Sequence, residues 1–108
     1  MMKYKIMRLI CMFDLPTDTA KEKKAYRIFR KKLIQEGFVM MQYSVYVRVC
    51  PNRDYAKRIE KRLLKIVPPA GNVRTLMITE KQYEDMKIMV GTKRAQEKAI
   101  GSERMIII

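Results

Sequence analysis

The 108-residue sequence contains no histidine. This absence excludes serine–histidine and cysteine–histidine catalysis and histidine-ligated zinc, because each of these depends on an imidazole as base or ligand. Hydrolytic chemistry in this chain therefore has to come from carboxylate, lysine or tyrosine side chains.

The sequence also lacks a hydrophobic run of membrane-spanning length and a signal-peptide pattern, so we expect a cytoplasmic protein. Cysteine is scarce as well. Cys11 and Cys50 lie far apart, in strand-like segments, and without the spacing of a metal-binding motif. Reduced core thiols are the simplest interpretation, and they suit the same compartment.

Acidic residues are few, with 11 Asp and Glu against 24 Lys and Arg, which gives a formal net charge of +13. Such a charge favours a polyanionic partner, either nucleic acid or an acidic membrane surface. The length and the 48% hydrophobic content predict a single globular domain with one core.

The apolar run from Leu9 to Phe13 organises the chain. It is short and Pro16 closes it, so it predicts a strand that is buried on both faces. Asp14 follows where this strand leaves the core. It is either a turn former before Leu15 and Pro16 or the start of a site.

Two amphipathic helices are predicted. The first begins at a capping box formed by Thr19 and Glu22 and ends at Gly37. The second begins after Asn52 and ends before Pro68. The basic residues on their outer sides are either a solvated surface or contacts to a nucleic-acid backbone. The candidate contacts are Lys23, Lys24, Arg27, Lys31, Lys57, Arg58 and Lys61.

Four further strands are predicted at residues 38–41, 42–49, 72–79 and 86–90, with a helical turn at 80–85. Alternation in the third strand places Tyr43 on one face and Ser44 and Tyr46 on the other. The sheet therefore lacks the paired aromatics on which RNA-binding domains of similar topology stack bases. Backbone contact with a duplex is expected instead.

The element order predicts an α+β, ferredoxin-like βαββαβ domain over residues 1–91, with an antiparallel sheet and both helices on one face. Because the first strand is apolar on both sides and no helix is left over, the second face needs another cover. We expect a homodimer packed sheet to sheet. Phe13, Ser44 and Tyr46 are the predicted interface residues.

Residues 92–108 form a predicted tail that is polar until its last four residues. This terminal apolar run is expected to pair with a sheet edge, in the same chain or in another. It is the candidate partner-docking strand and consists of Met105, Ile106, Ile107 and Ile108.

A dimer axis near the end of the first strand would bring two copies of Asp14 together. Mg²⁺ is usually bound through one or two carboxylates together with waters and phosphate oxygens. Mg²⁺ or another divalent cation between the two Asp14 residues would orient water and stabilise charge on a phosphodiester.

The strand end Phe13-Asp14-Leu15, Gly37 and the element Gln42-Tyr43-Ser44-Val45-Tyr46 resemble the small CRISPR-associated endoribonuclease family, over about residues 3 to 91. The resemblance implies a ferredoxin-like homodimer with Asp14 as catalytic residue and metal ligand at the subunit interface. It also implies partnership with the CRISPR integrase in spacer acquisition. Two activities follow from it: Mg²⁺-dependent cleavage of RNA or DNA, and a non-catalytic bridge that holds protospacer DNA between two integrase dimers.

The chain departs from the family pattern at two places. Phe13 stands where the family often has tyrosine, and Val39-Met40-Met41 stands where a basic residue is common. The terminal run at residues 105–108 resembles tails that dock on the integrase. A stand-alone, toxin-like ribonuclease of the same fold is the alternative function, with single-stranded RNA as a possible substrate.

Overall fold

The computed structural model describes residues 6–93. The elements are β1 (Met7–Asp14), α1 (Ala20–Gln35), β2 (Val39–Gln42), β3 (Val45–Cys50), α2 (Arg53–Leu64), β4 (Asn72–Thr79) and α3 (Glu80–Glu84). The four strands form one antiparallel sheet in the order β2-β3-β1-β4. This architecture confirms the predicted α+β fold and its ferredoxin-like strand order. None of the helices in this range is long and apolar enough to cross a membrane.

The helices begin and end where the local signals indicate. The Thr19 hydroxyl accepts a hydrogen bond from the Glu22 backbone N–H, and the Glu22 carboxylate accepts one from the Thr19 N–H. Gly37 follows the end of α1 with a φ of +92°, a left-handed conformation that costs glycine little. Asn52 caps α2 by accepting a hydrogen bond from the Tyr55 N–H. These caps use the side-chain types that the sequence offered for them.

The core lies between the sheet and the two long helices. Leu9 and Cys11 of β1 pack there against Phe29 of α1 and Ile59 of α2. On the opposite face of the sheet, Ile10 packs against residues of β3 and α3. β1 is central in the sheet and buried on both faces, which confirms that prediction.

The chain covers part of its second sheet face by itself. The predicted helical turn is the short helix α3, and its residue Tyr83 packs on Ile10 and Val47. The expectation that the chain has no element left for this face is therefore wrong. The rest of the face stays apolar and accessible, since Leu76 of β4 is 50% exposed. Sheet-to-sheet dimerisation remains a prediction.

Two strand predictions are also wrong, one in where a strand begins and one in whether a strand exists. β3 begins at Val45, because Tyr43 and Ser44 form the turn of the β2–β3 hairpin and Ser44 adopts a φ of 65°. Residues 86–90 form no strand within the part of the chain that the structure describes. A strand needs a hydrogen-bonded neighbour, and this segment pairs with neither sheet edge. The predicted tail strand at 105–108 lies outside the described residues.

Candidate nucleic-acid site at the end of the central strand

Asp14 is the last residue of β1, and its side chain is exposed. Its backbone is held from two directions. Asn72 of β4 pairs with it in the sheet, and the loop before β4 packs against it at Gly71. A Cβ atom at Gly71 would lie 2.7 Å from the Asp14 carbonyl oxygen, and Gly71 has a φ of +95°. The carboxylate therefore projects into solvent from a fixed point of the sheet.

Asp14 offers one carboxylate for each chain. Among residues 6–93, no group of three or more histidine, cysteine, aspartate or glutamate side chains is arranged to hold a metal ion. An exposed carboxylate suits Mg²⁺, which keeps several waters and takes phosphate oxygens as further ligands. Asp14 would supply one protein ligand of such an ion, and a second copy of Asp14 would supply another.

An aromatic cluster fixes the residue that precedes Asp14. The Phe13 ring lies with its centroid 5.2 Å from that of Phe29, 5.7 Å from that of Tyr46 and 6.0 Å from that of Tyr26. The Phe13 backbone N–H also donates to the Ser44 carbonyl oxygen at 3.0 Å. The end of β1 is thus tied to both α1 and the β2–β3 turn.

Phe13 and Tyr46 do not lie where a sheet-to-sheet interface would use them. Tyr46 is 1% exposed, Phe13 is also buried, and both belong to the core on the helix side of the sheet. The β1–β3 register pairs Cys11 with Tyr46 and so puts Tyr46 on that side. The prediction that these two side chains line an interface through the open face does not fit this placement. Ser44 is half-buried in the hairpin turn.

Tyr26 lies near Tyr43 and Ser44, next to this strand end. Burial raises the pKa of Tyr26, and the Tyr43 hydroxyl raises it further, while a hydrogen bond with Ser44 lowers it. Tyr26 therefore stays protonated at neutral pH and can donate a hydrogen bond. Tyr26 is not among the site residues that the sequence predicts, since nothing local in the sequence relates it to Tyr43.

A cavity of about 280 Å³ opens beside Asp14 and is called the proline pocket here. Its walls come from the segment after Asp14, the first turns of α1 and the loop before β4. The lining residues are Leu15, Pro16, Thr19, Lys21, Glu22, Ala25, Tyr26, Pro68, Pro69 and Ala70. The sequence identified Pro68 and Pro69 only as a helix stop, so it did not predict this pocket.

The seven predicted basic contacts all lie on exposed surface of α1 and α2. Because both helices pack on the same face of the sheet, their outer sides lie on one side of the molecule. Within residues 6–93, none of the seven forms an ion pair. Arg58 lies over the Tyr55 ring at 5.4 Å from its centroid. The charge of this surface, called the basic surface here, is not neutralised by neighbouring acids.

Arg8 forms a buried ion pair that the sequence did not suggest. It is fully buried in β1, and its Nε and Nη2 atoms donate to the two Glu80 carboxylate oxygens at 2.8 and 2.9 Å. The guanidinium also stacks 4.0 Å from the centroid of the Tyr83 ring. Arg8 lies near the opposite end of β1 from Asp14, so this pair anchors α3 and takes no part in the site.

The strand order and the two helices on one face define a ferredoxin-like α+β domain, in which an exposed acid ends a central strand. A solved structure titled "Crystal structure of cas2" superposes with a TM-score of 0.50 at 18% identity, covering 83% of this chain and 92% of that one, which supports the fold. The family model described as CRISPR associated protein Cas2 matches residues 7–86. The chain belongs to the Cas2 family.

Similar proteins carry the name CRISPR-associated endoribonuclease Cas2. The relative from Ligilactobacillus salivarius (strain UCC118) is 52% identical over 102 residues, which cover 94% of this chain and all of the relative. The relative from Lacticaseibacillus rhamnosus (strain ATCC 53103 / LMG 18243 / GG) is 50% identical with the same coverage. The relative from Parvibaculum lavamentivorans (strain DS-1 / DSM 13023 / NCIMB 13966) is 52% identical over 88 residues, or 82% of this chain and 87% of the relative.

Proposed function

We propose that the protein is a homodimeric scaffold of CRISPR adaptation. It binds duplex protospacer DNA along the basic surface and bridges integrase dimers, with residues 105–108 as the docking segment. Membership of the Cas2 family supports a role in this system. The observation that carries the DNA-binding proposal is the basic surface, whose charges have no acidic ion-pair partner among the described residues.

The partly uncovered sheet face supports the dimer. The exposed Leu76 lies there beside the half-buried Ile78 of the same strand and Met12 of β1. A second copy of the sheet would remove these apolar side chains from water, at roughly 25 cal/mol for each Å² buried. An axis near the end of β1 would also bring the two Asp14 carboxylates together.

A second activity, phosphodiester hydrolysis at the paired Asp14 residues, fits the same arrangement. The two carboxylates would hold Mg²⁺ or another divalent cation. The bound ion would supply Lewis-acid polarisation of the phosphate and an oriented water. The endoribonuclease name of the relatives and the exposed carboxylate at a rigid strand end support this activity.

The variant Asp14→Ala tests the two activities separately. We expect loss of any nuclease activity, because the metal loses its protein ligand, together with unchanged dimerisation and spacer integration. The measurements are solution mass, co-purification with the integrase and a short duplex, strand cleavage with Mg²⁺, and integration. Asp18→Ala is the matched control, since Asp18 is exposed in the same loop before α1.

Three outcomes contradict parts of the proposal. A variant that dimerises and binds the integrase but integrates nothing contradicts a purely structural role. A wild-type solution mass of one chain at low concentration contradicts the dimer. Ribonuclease activity without any association with the integrase favours the stand-alone ribonuclease.

A further inference from the structure

The proline pocket is joined to Asp14 by covalent and packing contacts. Leu15 and Pro16 follow Asp14 directly and form one wall. The opposite wall is the loop with Pro68 and Pro69, and its next residues reach Gly71, which packs on the Asp14 carbonyl group. The pocket therefore begins one residue along the chain from Asp14, and the Asp14 side chain itself does not line it.

The walls of the pocket are mostly apolar, and ring side chains form much of them. Three proline rings and the Tyr26 side chain contribute to them. The Tyr26 ring packs on Phe13, with the two ring centroids 6.0 Å apart. A ring that is already packed against another loses little rotational freedom when a ligand stacks on it, so the pocket is preorganised for a planar ligand.

The size and the polar rim of the pocket narrow the class of ligand. Its volume of about 280 Å³ lies just below the range of roughly 300–1,000 Å³ that is usual for drug-sized ligands, so one ring system fits it best. Two of its polar groups are already used, because Thr19 and Glu22 cap α1 through each other's backbone N–H groups. Lys21, which also lines the pocket, adds a positive charge.

We infer that the proline pocket binds one unpaired nucleobase of a nucleic-acid strand whose backbone passes Asp14 and continues along α1. This inference rests on the proposed nucleic-acid binding. Charge complementarity favours nucleic acid over a protein side chain, because Lys21 at the pocket and Lys24, three residues along the same face of α1, offer cations to phosphates. A base inside a duplex is stacked on both faces and cannot enter a concave pocket.

The pocket would distinguish strands by their pairing and not by their sequence. Stacking on an aromatic ring is available to every base. Reading a base edge needs free polar groups, and the two groups that cap α1 are engaged. The protein then has two modes of contact: the basic surface for backbone phosphates, and the proline pocket for one base at an unpaired position.

Abasic scanning tests the inference on the wild-type protein. A DNA duplex with a 12-nucleotide single-stranded extension carries one abasic position, which is moved along the extension, while the duplex part fixes the register of the strand on the protein. Affinity is measured in EDTA so that no cleavage occurs. We expect about a tenfold loss of affinity at one position and little loss elsewhere, since stacking of one base is removed. The same scan in one strand of a duplex should be flat.

Ala25→Leu fills the pocket and provides the matching protein variant. Ala25 is half-buried on α1 and lines the cavity. We expect about a tenfold weaker affinity for the single strand and unchanged affinity for the duplex. Gln35→Leu, an equally apolar change at the exposed end of α1, should change neither. Circular dichroism and thermal unfolding verify that both variants fold. Tyr26→Leu and its conservative partner Tyr26→Phe provide a second pair of pocket variants.

Three results overturn the inference. A flat abasic profile with strong, salt-sensitive binding overturns the pocket and leaves the basic surface intact. The pocket is also overturned if folded Ala25→Leu protein keeps wild-type affinity for the single strand, or if it loses equal affinity for the single strand and the duplex. Absence of binding to any nucleic acid overturns both the pocket and the proposed scaffold function.

Discussion

At the scale of single residues, burial sets the chemistry of the thiols. Cys11 lies in the central strand, fully removed from solvent, and burial raises its pKa to about 12 from an ordinary value of 9.0. Cys50 is also buried, and burial raises its pKa, although the Arg48 guanidinium lowers it in part. Both thiols are free, as the sequence predicted. They are protonated and unreactive in the folded protein.

The raised pKa of Cys11 predicts how stability depends on pH. The folded state holds the Cys11 proton more tightly than the unfolded state does. The contribution of this thiol to the free energy of unfolding is therefore complete below about pH 9 and is lost as the pH rises towards 12. We expect the free energy of unfolding in urea to fall above pH 9. Cys11→Ala should show a shallower fall, with Cys50→Ala as the comparison. If the free energy of unfolding fell with pH in parallel for Cys11→Ala and wild type, the raised pKa of Cys11 would be contradicted.

At the scale of elements, α3 depends on the rest of the molecule. Five residues are too few for a stable free helix. A capping box of Thr79 and Gln82 starts the helix, while Arg8 holds Glu80 and stacks on Tyr83. The buried Arg8 also has one nitrogen, Nη1, without a hydrogen-bond partner among the described residues. The pair thus fixes α3 on the sheet at a considerable desolvation cost.

A double-mutant cycle on Arg8 and Glu80 is expected to be strongly non-additive. Glu80→Met or Arg8→Met alone should cost about 3–5 kcal/mol, because each leaves the other member of the buried pair as an unpaired charge. Arg8→Met combined with Glu80→Met should cost much less than the sum of the single changes. Urea unfolding measures all four proteins. Lys81→Ala, which breaks the exposed pair with Asp85, should have little effect. Additive losses would show that the pair is not coupled.

At the scale of the whole molecule, the two sides of the sheet differ. One side carries α1 and α2 with the basic surface, and the other is an apolar sheet face that α3 covers in part. A polyanion on the first side and a second copy of the chain on the second side would not compete for surface. If the protein dimerises and binds nucleic acid as proposed, this separation of charge from apolar surface lets both contacts form at the same time.

Reversing Lys24, Arg27 and Lys31 to glutamate tests the basic surface. We expect weaker binding of duplex DNA and a smaller dependence on salt, because the logarithm of affinity changes by about 0.9 per logarithm of salt for each phosphate neutralised. Titrations at several salt concentrations measure this slope. Lys81→Glu, on the α3 side, is the control and should leave the slope unchanged. An unchanged slope for the triple variant would make these residues an ordinary solvated face.

The local parts of the site were predictable, and the contacts between distant segments were not. Asp14 stood out because a carboxylate follows a closed apolar run, and the structure places it exposed at the strand end. Arg8 escaped notice because its partner Glu80 lies 72 residues away. The side of the sheet that holds Tyr46 depends on the register, which pairs it with Cys11 and puts it under the helices.

The sequence by itself determined the helices, the main strands, the ferredoxin-like order and the free thiols. The signals for the helices and strands act over one turn or one strand, through caps such as Thr19 and Gly37 and through apolar periodicity. Only the tertiary structure decided that the loop with Pro68 and Pro69 meets Leu15 and Tyr26 beside Asp14. The physical reason is that such contacts depend on strand register and layer packing, which bring together segments that carry no local record of each other.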